Sequence, residues 1–209
     1  PLPVQVFPIA EFESAFRYMA QAKHIGKVVL SLQGQRVSVS PSPDESIRFG
    51  ADRTYLVTGG LGGVGLTVAQ WMARQGARHL VLMGRSGPSP SALEILETTR
   101  RSGVEIVVAQ ADVTREHEVA QVIRTITETM PPLGGVIHAA MVLDDGAIRQ
   151  LSLERLQKVM APKMIGAWNL HLLTVDKPLD FFVLFSSSAA LVGSPGQANY
   201  VAANVAVDA

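Results

Sequence analysis

The stretch that most constrains the fold is residues 55–65. The strand-like run Tyr55-Leu56-Val57-Thr58 leads directly into Gly59-Gly60-Leu61-Gly62-Gly63-Val64-Gly65, and an apolar helical pattern follows. Two glycine spacings overlap there, Gly60-x-Gly62-x-x-Gly65 and Thr58-Gly59-x-x-x-Gly63-x-Gly65. Glycine at such positions allows a tight turn, close approach of backbone to a pyrophosphate, and close packing of helix on strand. The helix N-terminus adds unpaired N–H groups and the positive end of a dipole, which suit phosphate. Glycine clusters also make plain turns, so context decides. A strand before and a helix after are what a dinucleotide-binding unit requires.

The rest of the chain repeats this alternation. Strands are expected at 55–58, 79–83, 105–109, 136–139 and 181–185, and helices over 65–75, 91–102, 117–129, 153–173 and 198–209. Gly76 and Gly103 close the first two helices, and Pro131-Pro132 stops the third. Continuous apolar strands alternating with helices predict an α/β fold, a doubly wound parallel sheet covered on both faces. The first 31 residues read strand, helix, strand (4–7, 11–22, 27–30), with Gly26 ending the helix. That is too small for an independent core. Residues 32–52, rich in Gln, Ser, Pro and Gly without periodicity, suit a linker.

Composition removes several function classes. Lys plus Arg and Asp plus Glu each number 18 in 209 residues, so the formal charge is zero and no basic block is present. That argues against a nucleic-acid or membrane-surface protein. Without cysteine there is no disulfide or thiolate chemistry, and the five histidines never fall three or four apart, so no local metal pair exists. No apolar run approaches the ~20 residues needed to span a bilayer. The N-terminus, Pro-Leu-Pro, shows no basic region of a signal peptide, so a cytoplasmic setting is expected.

The second strand ends at Met83-Gly84-Arg85-Ser86, where an acidic residue would take the ribose 2′-hydroxyl of NAD. Arg85 stands there instead. It is either a ligand for a 2′-phosphate or a solvated surface arginine. In Ala111-Asp112-Val113, Asp112 either reaches an adenine amino group or caps the next helix. Ser186-Ser187-Ser188 ends the fifth strand, at the sheet edge where ligands bind. Tyr200 follows, with Asn204 four residues later on the same helix face. A tyrosine there is either a core residue with its hydroxyl at the rim or a proton donor. As a donor it needs a nearby ammonium to lower a pKa of about 10. Lys158 and Lys163, on the preceding long helix, are the available lysines.

Thr58 to Gly65, together with His138-Ala139-Ala140, Ser187 and Tyr200, resembles the short-chain dehydrogenase/reductase superfamily. That superfamily usually has Lys four residues after the Tyr, where this chain has Asn204, and Asn where this chain has Lys163. The exchange is similar to that in ketoreductase domains of modular polyketide synthases and animal-type fatty acid synthases. The segments Leu143-Asp144-Asp145 and Gly193-Ser194-Pro195-Gly196-Gln197-Ala198-Asn199-Tyr200 match the same subfamily, over about 53–209. Residues 15–29 resemble the last helix and strand of the enoylreductase domain that precedes such ketoreductases, so 1–31 reads as its tail.

The resemblance implies NADPH-dependent reduction of a β-ketoacyl thioester carried on the phosphopantetheine arm of an acyl carrier protein, beside neighbouring synthase domains. It implies that Tyr200 protonates the carbonyl oxygen, Ser187 hydrogen-bonds it, Lys163 lowers the Tyr200 pKa, and Asn204 supports the relay. It places cofactor contacts on Thr58, Gly59, Gly60, Leu61, Gly62, Gly63, Val64 and Gly65, on Arg85 and Ser86, on Asp112 and Val113, and on Ala139 and Ala140. The Leu-Asp-Asp motif, with Val192 where A-type domains carry Trp, implies a D-configured 3-hydroxy product. Further strands and a substrate lid would follow the Tyr200 helix in this family, so the sheet is expected to be incomplete and residues 1–209 alone poorly active. The alternative is a catalytically silent, NADP-binding or scaffolding domain of the same kind of synthase.

Overall fold

The computed structural model describes residues 3–22, 24–33 and 47–209. They fall into two units, Pro1–Glu45 and Ser46–Ala209. In the first, β1 (Val4–Pro8) leads through a 3-10 turn to α1 (Phe12–Ala20), and β2 (Lys27–Ser31) pairs in parallel with β1. The helix ends earlier than its sequence suggests. The Ala22 N–H bonds the Met19 carbonyl, and Ala22 itself takes the left-handed conformation (φ 51°) that closes it. Gly26 instead stands just before β2, with a φ of 93° and no room for a Cβ beside the Pro3 carbonyl. Among the described apolar residues of this unit, Ala15 is buried, whereas Val4, Val6, Phe12, Phe16 and Met19 are exposed.

The second unit is built on β3 (Thr54–Thr58), α2 (Gly63–Arg74), β4 (His79–Gly84), α3 (Pro90–Arg101), β5 (Glu105–Gln110) and α4 (Glu116–Thr129). It continues with β6 (Leu133–His138), α5 (Leu153–Thr174), β7 (Phe181–Leu184), α6 (Ala189–Val192) and α7 (Ala198–Asp208). The five strands are all parallel, in the order β5-β4-β3-β6-β7. Strand order reverses between β3 and β6, and ligands bind at the carboxyl ends of strands flanking such a switch.

Period-2 alternation along the strands divides the core into two layers. Tyr55, Val57, Leu80 and Leu82 face α2 and α3, packing with Leu66, Met72 and Leu96. Leu56, Val81, Met83 and Val136 face the other way, packing with Val119, Ile123, Ile126 and Leu170 of α4 and α5. Both faces of β3 and β4 are therefore apolar, as a doubly covered parallel sheet requires.

Two boundaries differ from the sequence pattern for packing reasons. Strand β6 begins at Leu133 and includes Gly134 and Gly135, which read as part of a loop. A Cβ on Gly135 would enter the Phe181 ring of β7, and one on Gly134 would lie 2.9 Å from the Arg53 side chain. Residues 47–52, assigned by composition to the linker, pack with the second unit. Phe49 lies edge-on to Tyr55, Trp71 and Phe181, and Tyr55 Oη accepts the Gly50 N–H at 2.8 Å. Residues 34–46 of that linker lie outside the described residues. Among the described residues, no helix is long and apolar enough to cross a membrane.

Candidate active site

The glycines of the turn after β3 do two different jobs. Gly59 has a φ of 66°, and a Cβ there would sit 2.8 Å from the Ala139 carbonyl oxygen at the end of β6. At Gly65 a Cβ would run into the Gly59 carbonyl, with the Gly59 carbonyl carbon only 2.7 Å away. Gly60 donates its N–H to the Met83 carbonyl at 3.3 Å, tying the turn to β4. These three serve the protein's own packing. Gly62 and Gly63 have nothing within 4 Å of a would-be Cβ. They open α2, whose first turn has no acidic residue and no side-chain cap. Free N–H donors beside an open glycine face fit a pyrophosphate. Val64 is exposed next to this face, and Leu61 leans over Gly84.

A cleft of ≈ 300 Å³ continues from the turn, lined by Thr58, Gly59, Arg85, Asp112, Ala140 and Lys158 among others. Arg85 is exposed at the end of β4. Its backbone carbonyl accepts Gln110 Nε2 at 3.1 Å, and its guanidinium has no partner among the described residues. Ser86 beside it is exposed. Asp112 does not cap α4, whose N-cap is Arg115. Its Oδ1 accepts the Thr114 N–H and hydroxyl at 2.9 and 2.8 Å, and its own N–H donates to Glu118 Oε2 at 2.7 Å. Burial opposes ionisation of Asp112, but the Thr114 hydrogen bonds and the Arg85 and Arg115 charges outweigh it and hold the pKa low. Val113 is buried against Gly166, and its carbonyl accepts Asn169 Nδ2 at 3.0 Å.

Thr58 points inward. Its Oγ1 lies 2.7 Å from His138 Nδ1 and accepts the Ala140 N–H at 3.4 Å, while its carbonyl accepts the Ala139 N–H at 3.1 Å. Ala139 and Ala140 are thereby pinned over the turn. Lys163 is 2% exposed, and its Nζ donates to the Phe185 carbonyl at the end of β7. Desolvation pulls its pKa down, partly opposed by Asp208.

Ser187 Oγ accepts the Ala189 N–H at 3.2 Å at the start of α6, which leaves its own proton free to donate. Tyr200 is half-buried on α7, with Oη 4.0 Å from Met141 Sδ. Asn204 is fully buried, but its Nδ2 bonds back to the Tyr200 carbonyl at 2.7 Å, and its Oδ1 has no partner among the described residues. The structure thus gathers Ser187, Tyr200, Asn204 and Lys163 around β7 and the helices beside it. It does not join them in a hydrogen-bonded chain.

Asn199, Arg155 and Gln197, with no role in the sequence reading, hold the site together with Asp144, Asp145 and Lys158. Asn199, fully buried, donates from Nδ2 to the Asp144 carbonyl at 2.8 Å and accepts the Tyr200 N–H at Oδ1. Asp144 Oδ1 takes two bonds from Arg155, at 2.8 and 2.6 Å, and Oδ2 takes Lys158 Nζ at 3.0 Å. These hydrogen bonds hold the Asp144 carboxyl below the usual range. Arg155 also caps the Asp145 carbonyl at 2.7 Å, while Asp145 Oδ2 accepts Gln197 Nε2 at 2.9 Å. The Leu143-Asp144-Asp145 segment is thus clamped to α5 and to the N-terminus of the Tyr200 helix. An Arg and a Lys three apart on one helix face, opposite a paired-Asp loop, is the signal the sequence offered for this clamp.

A family model described as KR domain matches residues 53–209. The mycocerosic acid synthase-like polyketide synthase of Mycobacterium tuberculosis is 43% identical over 210 residues, covering 100% of this chain and 10% of that protein. The highly reducing polyketide synthase PKS6 of Gibberella zeae is 41% identical over 199 residues, covering 94% of this chain and 8% of that protein. A solved structure described as A-type ketoreductases from a modular polyketide synthase aligns with a TM-score of 0.74 at 40% identity, over 82% of this chain and 37% of that one. The chain therefore spans about a tenth of the length of these two synthases.

Proposed function

The chain belongs to the KR-domain family, the ketoreductase domains of polyketide synthases, and from that premise we propose that it reduces a β-ketoacyl thioester to the β-hydroxyacyl thioester with NADPH. The observation that carries this reading is that the glycine turn after β3 and, beyond the end of β7, a buried lysine, a serine whose proton is free and a partly exposed tyrosine all lie on the carboxyl-end side of one parallel sheet. The open faces of Gly62 and Gly63 with the free N-terminus of α2 suit the pyrophosphate, and the unpaired Arg85 guanidinium suits a 2′-phosphate.

Bound NADPH supplies the hydride. Tyr200 donates its hydroxyl proton to the carbonyl oxygen, so that the hydride gained at carbon and the proton gained at oxygen balance the reduction. Ser187 holds that oxygen with its free O–H. We assign the buried Lys163 ammonium to balance the charge of the tyrosinate left behind. We place the acyl carrier protein with its phosphopantetheine arm as the donor of substrate. Residues 1–31 are read as the tail of a preceding enoylreductase domain, in keeping with their exposed apolar side chains. By resemblance alone, the Leu143-Asp144-Asp145 motif with Val192 in place of Trp implies a D-configured product, and chiral analysis giving mostly L product would overturn that assignment.

The test is NADPH oxidation on a β-ketoacyl thioester by the complete ketoreductase domain carrying these residues, with Tyr200→Phe beside it. The variant keeps NADPH binding and loses about 10²–10⁴-fold in turnover, the usual worth of a general acid. Near-normal turnover by Tyr200→Phe overturns the mechanism. Normal NADPH binding with no turnover by the unaltered domain supports the silent alternative.

A further inference from the structure

The end of β6 holds a group that the reaction as written does not use. His138 has no exposed surface. Its Nε2 lies 2.9 Å from the Pro162 carbonyl and its Nδ1 2.7 Å from Thr58 Oγ1. A carbonyl only accepts, so Nε2 carries the proton. Burial and the nearby Lys163 charge hold the imidazole neutral, with its pKa down to about 4. Nδ1 is therefore bare and accepts the Thr58 hydroxyl proton, while the Thr58 oxygen accepts the Ala140 N–H. The hydrogen bonds run one way: from the Ala140 N–H, through Thr58 and His138, into the Pro162 carbonyl.

This chain ends one residue before Lys163. Pro162, inside a helix, has no N–H for the carbonyl of Lys158, so that turn of α5 lacks one of its own ties. Gly166, one turn on, lets the helix close onto β6: a Cβ there would lie 3.1 Å from His138 Cε1 and 2.7 Å from Val113 Cγ1. The charged groups facing this place are Lys163 on α5 and, across from Lys163, Asp208 on α7.

We propose that His138 is a positioning residue: it anchors the Lys163 turn of α5 to the base of the glycine turn, and so fixes where the buried ammonium points. The claim about turnover rests on the reduction reading; the claim about the helix turn does not.

The experiment uses the complete domain with His138→Phe, His138→Gln, Thr58→Val and the Phe–Val double variant. Readouts are kcat, NADPH affinity by fluorescence, and amide hydrogen exchange over 163–166. His138→Phe lowers kcat by about 10–100-fold, the cost of misplacing a reacting group, and NADPH affinity changes by less than about threefold. Exchange at 163–166 accelerates. His138→Gln, which keeps a donor and an acceptor, recovers most of kcat. Adding Thr58→Val to His138→Phe accelerates exchange at 163–166 no further, since both cut one chain.

A folded His138→Phe with unchanged kcat overturns the proposal, as does Gln performing no better than Phe, or additive acceleration of exchange at 163–166 in the double variant. If His138→Phe does not fold, Thr58→Val decides: unchanged exchange at 163–166 overturns the proposal and acceleration supports it. If the unaltered domain reduces nothing, the reduction reading falls by itself, and exchange at 163–166 in the variants still decides the role of His138.

Discussion

Gly62 and Gly65 lie three residues apart, and alanine at each should fail in opposite ways. At Gly65 a Cβ meets backbone: it would sit 2.7 Å from the Gly59 carbonyl carbon and 3.0 Å from Gly60 Cα, with the Gly59 oxygen closer still. No rotamer relieves a backbone clash, so the turn must open. Overpacking of this kind costs about 1–3 kcal/mol, and a domain of this size then melts roughly 2–12 °C lower. At Gly62 the backbone is extended (φ −171°) and the space is empty. Ala there loses about 0.5–1 kcal/mol as a helix N-cap and recovers about 0.4–1 kcal/mol from a stiffer unfolded chain. The melting temperature should therefore stay put. Yet the added methyl occupies the face left open for a pyrophosphate, so NADPH should bind about tenfold more weakly, or 1.4 kcal/mol. Thermal melts of the complete domain, paired with fluorescence titration by NADPH, read both quantities. Normal NADPH affinity in Gly62→Ala would refute the assignment of the open face. An unchanged melting temperature in Gly65→Ala would refute the packing argument.

Arg85→Ala should leave stability unchanged, because its guanidinium has no partner among the described residues. It should weaken NADPH by about 1.5–3 kcal/mol and NADH hardly at all; equal losses for both cofactors would count against a 2′-phosphate contact. His138 makes stability depend on pH. Its folded pKa of about 4 lies below the ordinary value of 6.5, so the folded state binds fewer protons. Stability is fully present above about pH 6.5 and falls by about 3 kcal/mol as pH drops toward 4. Urea unfolding of the complete domain at pH 7.5 and pH 5 measures this, and a His138→Gln variant should lose the His138 share of the slope.

Much of this was legible because period and punctuation carry it. The β3 glycine turn, the strand–helix alternation and the glycines at 76 and 103 follow from local rules, and five parallel strands appear where the pattern put them. What escaped was set by contacts distant in sequence. Gly134 and Gly135 read as a loop because the Phe181 ring that fills the space above Gly135 lies 46 residues later. Asp112 read as either a cap or an adenine ligand; Arg115 caps α4 instead, and Asp112 Oδ1 closes a turn on Thr114. The role of Asn199 depends on a carbonyl 55 residues away. Residue type makes Lys163 and Tyr200 candidates for the chemistry, but does not announce that the ammonium bonds the Phe185 carbonyl.

That last contact sets up a prediction in which stability and activity move apart. Lys163 is 2% exposed, and its ammonium has three protons but, among the described residues, a single acceptor, the Phe185 carbonyl. Burial lowers its pKa, which means that the fold is paying to keep a charge there. Nearby, Ser186 Oγ and Asn204 Oδ1 are buried without partners among the described residues. A core selected for stability alone would fill this place with an apolar side chain. Lys163→Met keeps the length of the stem and removes the charge. It gives up one hydrogen bond to a carbonyl, about 1–3 kcal/mol, and removes the desolvation of an ion; exchanging buried charges for apolar side chains ranges from neutral to about 4 kcal/mol stabilising. The expected result is a Lys163→Met domain that melts at or above the unaltered one while ketoacyl reduction collapses. A melting temperature lowered by an amount equivalent to more than about 2 kcal/mol would mean that the ammonium holds the fold through Phe185. In that case the collapse of turnover would say nothing about Tyr200.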